Sequence, residues 1–284
     1  MKTGFVTLFG RSNVGKSTLL NRLVGTKVAI TSPLAQTTRH AIQGVLHHAD
    51  GQIVFIDTPG MFFGASGPLT AHLNKTATGS LEGVDAIVHV VDPTRPIGPE
   101  DRKLFTLLDG IQLPKILVIN KIDVRPLPYL SSFEERTPSY QHVVEVSAKN
   151  GTHLDPLIHA LLELLPDGEP LYPLGQVTNR DNTFWFAELI REKLFLRLKQ
   201  ELPYALTVKV DEVDRRRDGT LYLKARIITS SERYKGMVIG KGGRGVKEIG
   251  QSVRKELEAV TASPVYVDLT VEANPHWIKE AMSE

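Results

Sequence analysis

Two glycine-rich loops, each carrying a lysine, lie near opposite ends of the sequence. The first, "GRSNVGKS" at Gly10–Ser17, satisfies G-x-x-x-x-G-K-[ST] directly after an apolar strand-like run and at the head of a segment with helical period. At that spacing the main-chain N–H groups of Gly10, Arg11, Ser12, Asn13, Val14 and Gly15 can turn inward on phosphates. Lys16 then supplies a cation to the β- and γ-phosphates, Ser17 offers a hydroxyl to Mg²⁺, and Thr18 closes the set in the first helical turn. A chance glycine turn would need neither flank.

Three further stretches extend that chemistry. "DTPG", Asp57–Gly60, ends the run "QIVFI". A carboxylate there can hold Mg²⁺ through water, and Gly60 lets the backbone approach the γ-phosphate, although the tetrapeptide alone would read as a turn. "NKID", Asn120–Asp123, follows "KILVI", and "SAK", Ser147 through Ala148 to Lys149, follows "HVVEV". Both fall at carboxyl ends of parallel strands, where open sheets bind ligands. Asp123 can accept from N1–H and from the exocyclic amine of guanine, a donor pair that adenine lacks, and the wrong base would leave this acceptor unpaired. With Asn120 and Lys121 beside it, the four stretches together predict a site for GTP and GDP with Mg²⁺.

The second loop, "GKGG" at Gly240–Gly243, lacks the Lys-Ser/Thr pair and is not another phosphate loop of the first kind. It matches the GXXG clamp of KH domains, which grips backbone nucleotides between two helices. Gly240, Gly242 and Gly243 would bring main-chain N–H groups to a phosphodiester, while Lys241, Arg244 and Lys247 neutralise charge. Val238 and Ile239 are expected against bases in an apolar groove. A lone tetrad would be an ordinary turn. Here it lies between helical segments in a stretch, Arg215 to Lys255, holding 12 Lys or Arg against three acidic residues, a net +9. The run "RRR", Arg215–Arg217, reads equally as a phosphate contact and as a solvated hairpin tip.

The elements that must position these residues follow from periodicity. "FVTLF", "QIVFID", "AIVHVVD", "KILVIN" and "HVVEVS" are continuous apolar runs alternating with segments of helical period, the pattern of a mostly parallel sheet covered on both faces. "AIQGVLHHADGQIVFID" reads as a hairpin, so one edge strand is expected to be antiparallel. Prolines and glycines in "LPDGEPLYPLGQ" mark a connection. The expected division is an α/β doubly wound domain over 1–167, a linker over 168–179 and a smaller α+β domain over 180–284. In the last, "FWFAELIREKLFLRLKQEL" is helical with an apolar stripe, Trp185 and Phe186 are assigned to packing, and the order is helix, strand, strand, helices, strand.

Composition narrows the rest. The chain has 284 residues and no cysteine, which excludes disulfides and thiolate metal sites and suits a reducing cytoplasm. No apolar run reaches the roughly 18 residues of a membrane span, and "MKTGFVTLFG" enters a strand pattern at once, leaving no room for a signal peptide. The nine histidines show no metal-binding spacing, and His47 and His48 point to opposite faces of a strand, so they are read as sheet-surface residues.

On "GRSNVGKSTLLNRLVG", "QTTRH", "DTPG", "NKID", "SAK" and "VIGKGGRGVKEIG" the sequence resembles the translation-factor-related P-loop GTPases, and closely the Era family of ribosome-assembly GTPases, over essentially its whole length. The resemblance implies a type II KH arrangement, a cytoplasmic monomer, and binding to the 3′ region of small-subunit (16S) ribosomal RNA in 30S subunit assembly. It also implies peripheral membrane association at the inner face, for which the sequence shows no anchor. Thr38 of "QTTRH" is implied as the switch threonine that joins Mg²⁺, with Thr37 the competing assignment. Arg39 is read as facing the surface or RNA. Met61 follows "DTPG" where Ras-like enzymes have a water-orienting glutamine, so a Ras-type mechanism is not expected. Members with this hydrophobic substitution use K⁺ held partly by a loop asparagine, here Asn13. Lys16, Thr38, Gly60 and Asn13 are the expected catalytic set. Ala35–His40 and Met61–Gly67 are the expected switches, and intrinsic hydrolysis is expected to be slow. An RNA-binding adaptor that holds GTP with little turnover, and a GTPase acting at the membrane or in cell-cycle control, are the competing readings.

Overall fold

Strand β1 (Lys2–Phe9) leads through the first glycine loop into α1 (Lys16–Val24), and the chain then forms β2 (Ile42–His48), β3 (Gly51–Asp57) and α2 (Pro68–Gly79). There follow β4 (Ala86–Val91), α3 (Pro99–Asp109), β5 (Lys115–Ile119), α4 (Leu130–Glu134), β6 (His142–Glu145) and α5 (Leu154–Leu164). The second part holds α6 (Asn182–Arg197), β7 (Leu206–Arg215), β8 (Leu221–Thr229), α7 (Glu232–Ile239), α8 (Arg244–Thr261), β9 (Val265–Ala273) and α9 (Trp277–Ala281). This computed structural model describes residues 1–61 and 68–281. The chain divides into two compact units, Met1–Thr31 with Ala35–Arg180, and Ser32–Leu34 with Asp181–Glu284.

In the first unit six strands lie in the order β2-β3-β1-β4-β5-β6, all parallel except the β2–β3 hairpin. Every residue of β4 and β5 is buried, as continuous Val, Ile and Leu runs require when helices cover both faces. Each such side chain contributes roughly 1.5–3 kcal/mol on burial. The order places the carboxyl ends of β1 and β3 side by side, and likewise those of β5 and β6, so loops distant in sequence meet at one edge.

The stretch 168–179, expected as a linker, lies within the first unit and runs along its hairpin. Leu171 and Tyr172 N–H groups donate to Gln52 Oε1 at 2.8 and 2.9 Å, and Val45 N–H donates to Val177 O at 2.9 Å. Prolines and glycines deny this stretch a helix or strand, yet a buried side-chain amide still satisfies its backbone.

In the second unit three strands lie in the order β7-β8-β9, with β8 antiparallel to β7 and parallel to β9. Gly245, Ile249, Val253 and Leu257, four residues apart, form the buried stripe of α8, while Lys247, Glu248, Arg254 and Lys255 stay exposed. Helix α6 ends at Arg197, short of the expected Leu202, and it buries Glu188, Arg191 and Glu192 beside its apolar residues. Arg191 and Glu188 neutralise one another through an Nε–Oε1 bond of 2.7 Å, which is how charge survives there. Phe186 belongs to the core of this unit and Trp185 packs against it.

Candidate functional site

The loop between β1 and α1 is shaped by its contact with the far side of the sheet edge. Gly15 has φ 102°, and a Cβ there would sit 2.3 Å from Asn120 Nδ2, so only glycine allows this approach. Val14 is buried beneath the loop, and Gly60 backs onto Ser12. Lys16 is buried and its Nζ donates to Gly10 O and Arg11 O, both at 3.0 Å. Burial lowers its pKa to about 8, partly offset by the Asp57 carboxylate. A cation held at a desolvation cost, on carbonyls it can release, is suited to an incoming phosphate.

Beside it three oxygens converge. Ser17 Oγ donates to Asp57 Oδ2 at 2.6 Å, Thr38 Oγ1 donates to the same oxygen at 3.3 Å, and the two hydroxyls are 2.9 Å apart. Asp57 is fully buried and its Oδ1 has no protein partner. Burial pushes its carboxyl above the usual range, opposed by Lys16 and by the hydroxyls of Ser17 and Thr38. Two hydroxyls and a carboxylate with one orphaned oxygen are a hard donor set, and it fits Mg²⁺. His89, on β4, is buried and held neutral, its pKa lowered to about 3 by burial and by Lys16.

The base end is a web of side chains tying three loops together. Asn120 Nδ2 donates to Val14 O at 2.8 Å, and Asn120 Oδ1 accepts from Ala148 N–H at 2.9 Å. Lys121 Nζ reaches Asn13 O at 2.9 Å and Asp92 Oδ2 at 2.6 Å. Asp123 Oδ1 accepts from Ser147 Oγ at 2.6 Å, which fixes that carboxylate at the mouth of the site. Lys149 is exposed, and its carbonyl accepts from Arg22 at 2.6 Å. Thr18 is half-buried and lines a surface cavity with Asn21 and Arg22 of α1.

Several expectations change. Arg39 is 6% exposed and lies in a run with Thr37 and Thr38 that is drawn inward, so it is not a surface residue. Met61, 4% exposed, packs with Phe9, Ile87, Leu104 and Leu108; its side chain belongs to the core. Of the expected second switch, residues 62–67 lie outside the described residues. The motifs did not flag Asp92, whose carboxylate holds Lys121 and, at 3.1 Å, Arg95. Burial alone would raise its pKa, but Lys121 and Thr94 bring it below the usual range. Its signal was available: Asp92 ends a buried strand at the same edge as Asp57. Arg11 pairs with Glu100 and Asp101 at the start of α3, so its side chain braces the loop from outside.

In the second unit the "GKGG" loop joins α7 to α8. Gly240, Gly242 and Gly243 all have positive φ (69°, 61° and 75°), which a side chain would strain, and Lys241, Arg244 and Lys247 are exposed. Val238 corrects the expectation that it meets bases: it is 0% exposed, because its place on the last turn of α7 points it into the core with Ile249 and Val253. Ile239 is half-buried. The groove beyond the loop, about 390 Å³, is lined instead by Lys247, Gly250, Gln251, Arg254, Tyr266 and Leu269. Lys247, Gln251 and Arg254 recur at helical spacing on α8, a signal that was legible once β9 was paired with that helix.

Comparison with known proteins agrees with both halves. The family described as 50S ribosome-binding GTPase matches residues 5–121, and the KH domain family matches residues 201–278. GTPase Era of Carboxydothermus hydrogenoformans is 42% identical over 280 residues, 97% of this chain and 94% of that protein. GTPase Era of Halothermothrix orenii is 39% identical over 280 residues, with the same coverage. Among solved structures, Era in complex with MgGDPNP and nucleotides 1506–1542 of 16S ribosomal RNA superposes with a TM-score of 0.91 at 38% identity, covering 98% of this chain and 96% of that one. A point variant of Aquifex aeolicus Era bound to GDP·AlF4⁻ matches with the same TM-score, identity and coverage. A GTPase family match over residues 5–121, a KH domain match over residues 201–278 and relatives 42% and 39% identical over 97% of the chain place it in the GTPase Era family.

Proposed function

We propose that the protein binds and hydrolyses GTP in its first unit, binds the 3′ region of 16S ribosomal RNA through its second, and acts in assembly of the 30S subunit. The observation that carries the nucleotide half is the convergence of Ser17, Thr38 and the orphaned Asp57 carboxylate beside Lys16. The exposed cations around a positive-φ glycine loop, beside a groove, support the RNA half. In this reading residues 1–167 are the GTPase domain, 168–179 lie along its hairpin and lead to the second unit, and 180–284 are the KH domain.

The loop N–H groups from Gly10 to Thr18 cradle the phosphates, and Lys16 exchanges its two carbonyl bonds for β- and γ-phosphate oxygens, which restores the charge that burial disfavours. Ser17 and Thr38, with Asp57 through water, would hold Mg²⁺, which would supply positive charge to the phosphate oxygens. Gly60 brings its N–H to the γ-phosphate. Asp123 reads guanine, with Ser147 orienting it, while Asn120, Lys121, Ala148 and Lys149 hold the base-side loops in place. Met61, at the position where Ras-like enzymes carry a water-orienting glutamine, is committed to the core, and among the described residues hydrolysis rests on positioning and electrostatics, slow until a partner completes the site. Asn13 would help to hold K⁺, which would supply the positive charge that an arginine finger supplies elsewhere.

Among the described residues no helix is long and apolar enough to cross a membrane. The reading is of a cytoplasmic monomer, and liposome flotation tests peripheral attachment. Single-turnover GTP hydrolysis, in K⁺ and in Na⁺, with and without a single-stranded fragment from the 3′ end of 16S ribosomal RNA, tests the whole. Faster turnover in K⁺ and stimulation by RNA that is lost in Gly243→Asp support it. Equal rates in the two salts remove Asn13 from the mechanism, and absence of turnover under every condition leaves an adaptor that only holds GTP.

A further inference from the structure

We propose that the first unit carries a second cation site, built from His48, Asp50 and His159 and suited to a transition-metal dication such as Zn²⁺. Among the described residues these three bring a ring nitrogen from each histidine and a carboxylate oxygen within 4.8 Å of one another. His48 ends β2, Asp50 sits in the hairpin turn, and His159 faces them from α5, more than a hundred residues later. The two rings meet edge to face with centroids 5.6 Å apart.

The hydrogen-bond pattern favours ligation. His159 Nδ1 donates to Asp155 O at 2.8 Å, so its Nε2 is the ring nitrogen left to meet an ion. A backbone carbonyl holding the far N–H is the usual orienting partner of a metal-binding histidine. His48 Nδ1 accepts from Asp50 N–H at 3.2 Å and lies 3.5 Å from Asp50 Oδ2, so its lone pair and the carboxylate share one side. A metal would exchange that single long bond for a stronger one. Both supports are firm. Asp50 O is held by Lys2 N–H at 3.1 Å, and buried Leu162 of α5 packs under the hairpin at Gly51.

Two imidazoles and one carboxylate suit Zn²⁺, Co²⁺ or Ni²⁺ and disfavour Mg²⁺ and Ca²⁺, which require oxygen. The site is thus chemically distinct from the oxygen set at Asp57. A bound ion would staple the edge hairpin to the last helix of this unit, closing a loop of chain long enough for such a clip to matter.

The full chain, saturated with GDP and excess Mg²⁺ to occupy the nucleotide site, is titrated with Co²⁺ and then Zn²⁺, following visible absorbance and heat. One Co²⁺ per chain, displaced by Zn²⁺, is expected. His48→Gln and His159→Ala should each weaken binding at least tenfold, while His276→Ala, at an exposed position in the second unit, should not change it. His159 is exposed on α5, so its replacement by alanine leaves the helix intact. If His48→Gln fails to bind GDP, Asp50→Asn replaces it and is held to the same tenfold criterion. Absence of a saturable site, or an affinity within threefold of the parent in either variant, overturns the proposal.

Discussion

Asn120 is the residue whose removal best separates a strut from a base contact. Its side-chain amide is 2% exposed and is consumed at both ends, by Val14 O at 2.8 Å and by Ala148 N–H at 2.9 Å. Asn120→Ala leaves a buried carbonyl and a buried N–H without partners. Each orphan costs about 1–3 kcal/mol, so the simple sum is about 2–6 kcal/mol. The vacated space is of the order of one water, which can bridge the two groups and recover part of the loss. We therefore expect destabilisation of about 2–3 kcal/mol in the nucleotide-free chain, read as a fall in the urea midpoint by far-ultraviolet circular dichroism. The same displacement of the phosphate loop and the Ser147–Lys149 loop should weaken GDP and IDP in equal proportion, because no base-specific contact is lost. A destabilisation below about 0.5 kcal/mol, or a loss confined to GDP, would refute the strut.

Three other outcomes follow from the same geometry. Lys16 has its folded pKa lowered to about 8, below its ordinary 10.5, so between those values the unfolded chain binds more protons and stability rises with pH. Relative to Lys16→Met, the nucleotide-free protein should gain up to about 3 kcal/mol between pH 8 and 10.5, measured by urea unfolding, and saturating GDP should flatten the gain. Met61→Gln should not accelerate hydrolysis in a single-turnover assay, and it should cost about 1–3 kcal/mol, because it places an amide in the cluster of Phe9, Ile87, Leu104 and Leu108. Lys241→Ala should leave stability unchanged and reduce the salt slope of RNA binding by about one, as expected for an exposed cation paired with one phosphate.

The chemistry at the sheet edge was legible because its signals are local. The loop at Gly10–Ser17, Asp57 at the end of β3, Asp123 in the loop after β5, and the glycine tetrad at 240–243 each sit in or beside the element that aims them. Uninterrupted apolar runs announced β4 and β5 as buried on both faces, and the hairpin at Ala49–Asp50 announced the antiparallel edge. Less legible were residues whose role is set by what faces them. Val238 looks apolar enough to meet a base, but the turn of helix it occupies directs it inward. Asp92 carries no motif, and its hold on Lys121 exists only because β4 and β5 are neighbours.

By itself the sequence determined the GTPase class, the place of a glycine tetrad between two helices and the order of elements, since each depends on residue type at short spacing. Only the tertiary structure decided which side chains share a site. Histidines with no spacing pattern, His48 and His159, meet because an edge hairpin packs on the last helix of the unit. Asn120 spends its amide on loops that lie more than a hundred residues upstream and nearly thirty downstream. Such encounters depend on strand order and helix packing, which bring distant positions together without leaving any periodicity in the chain for the eye to find.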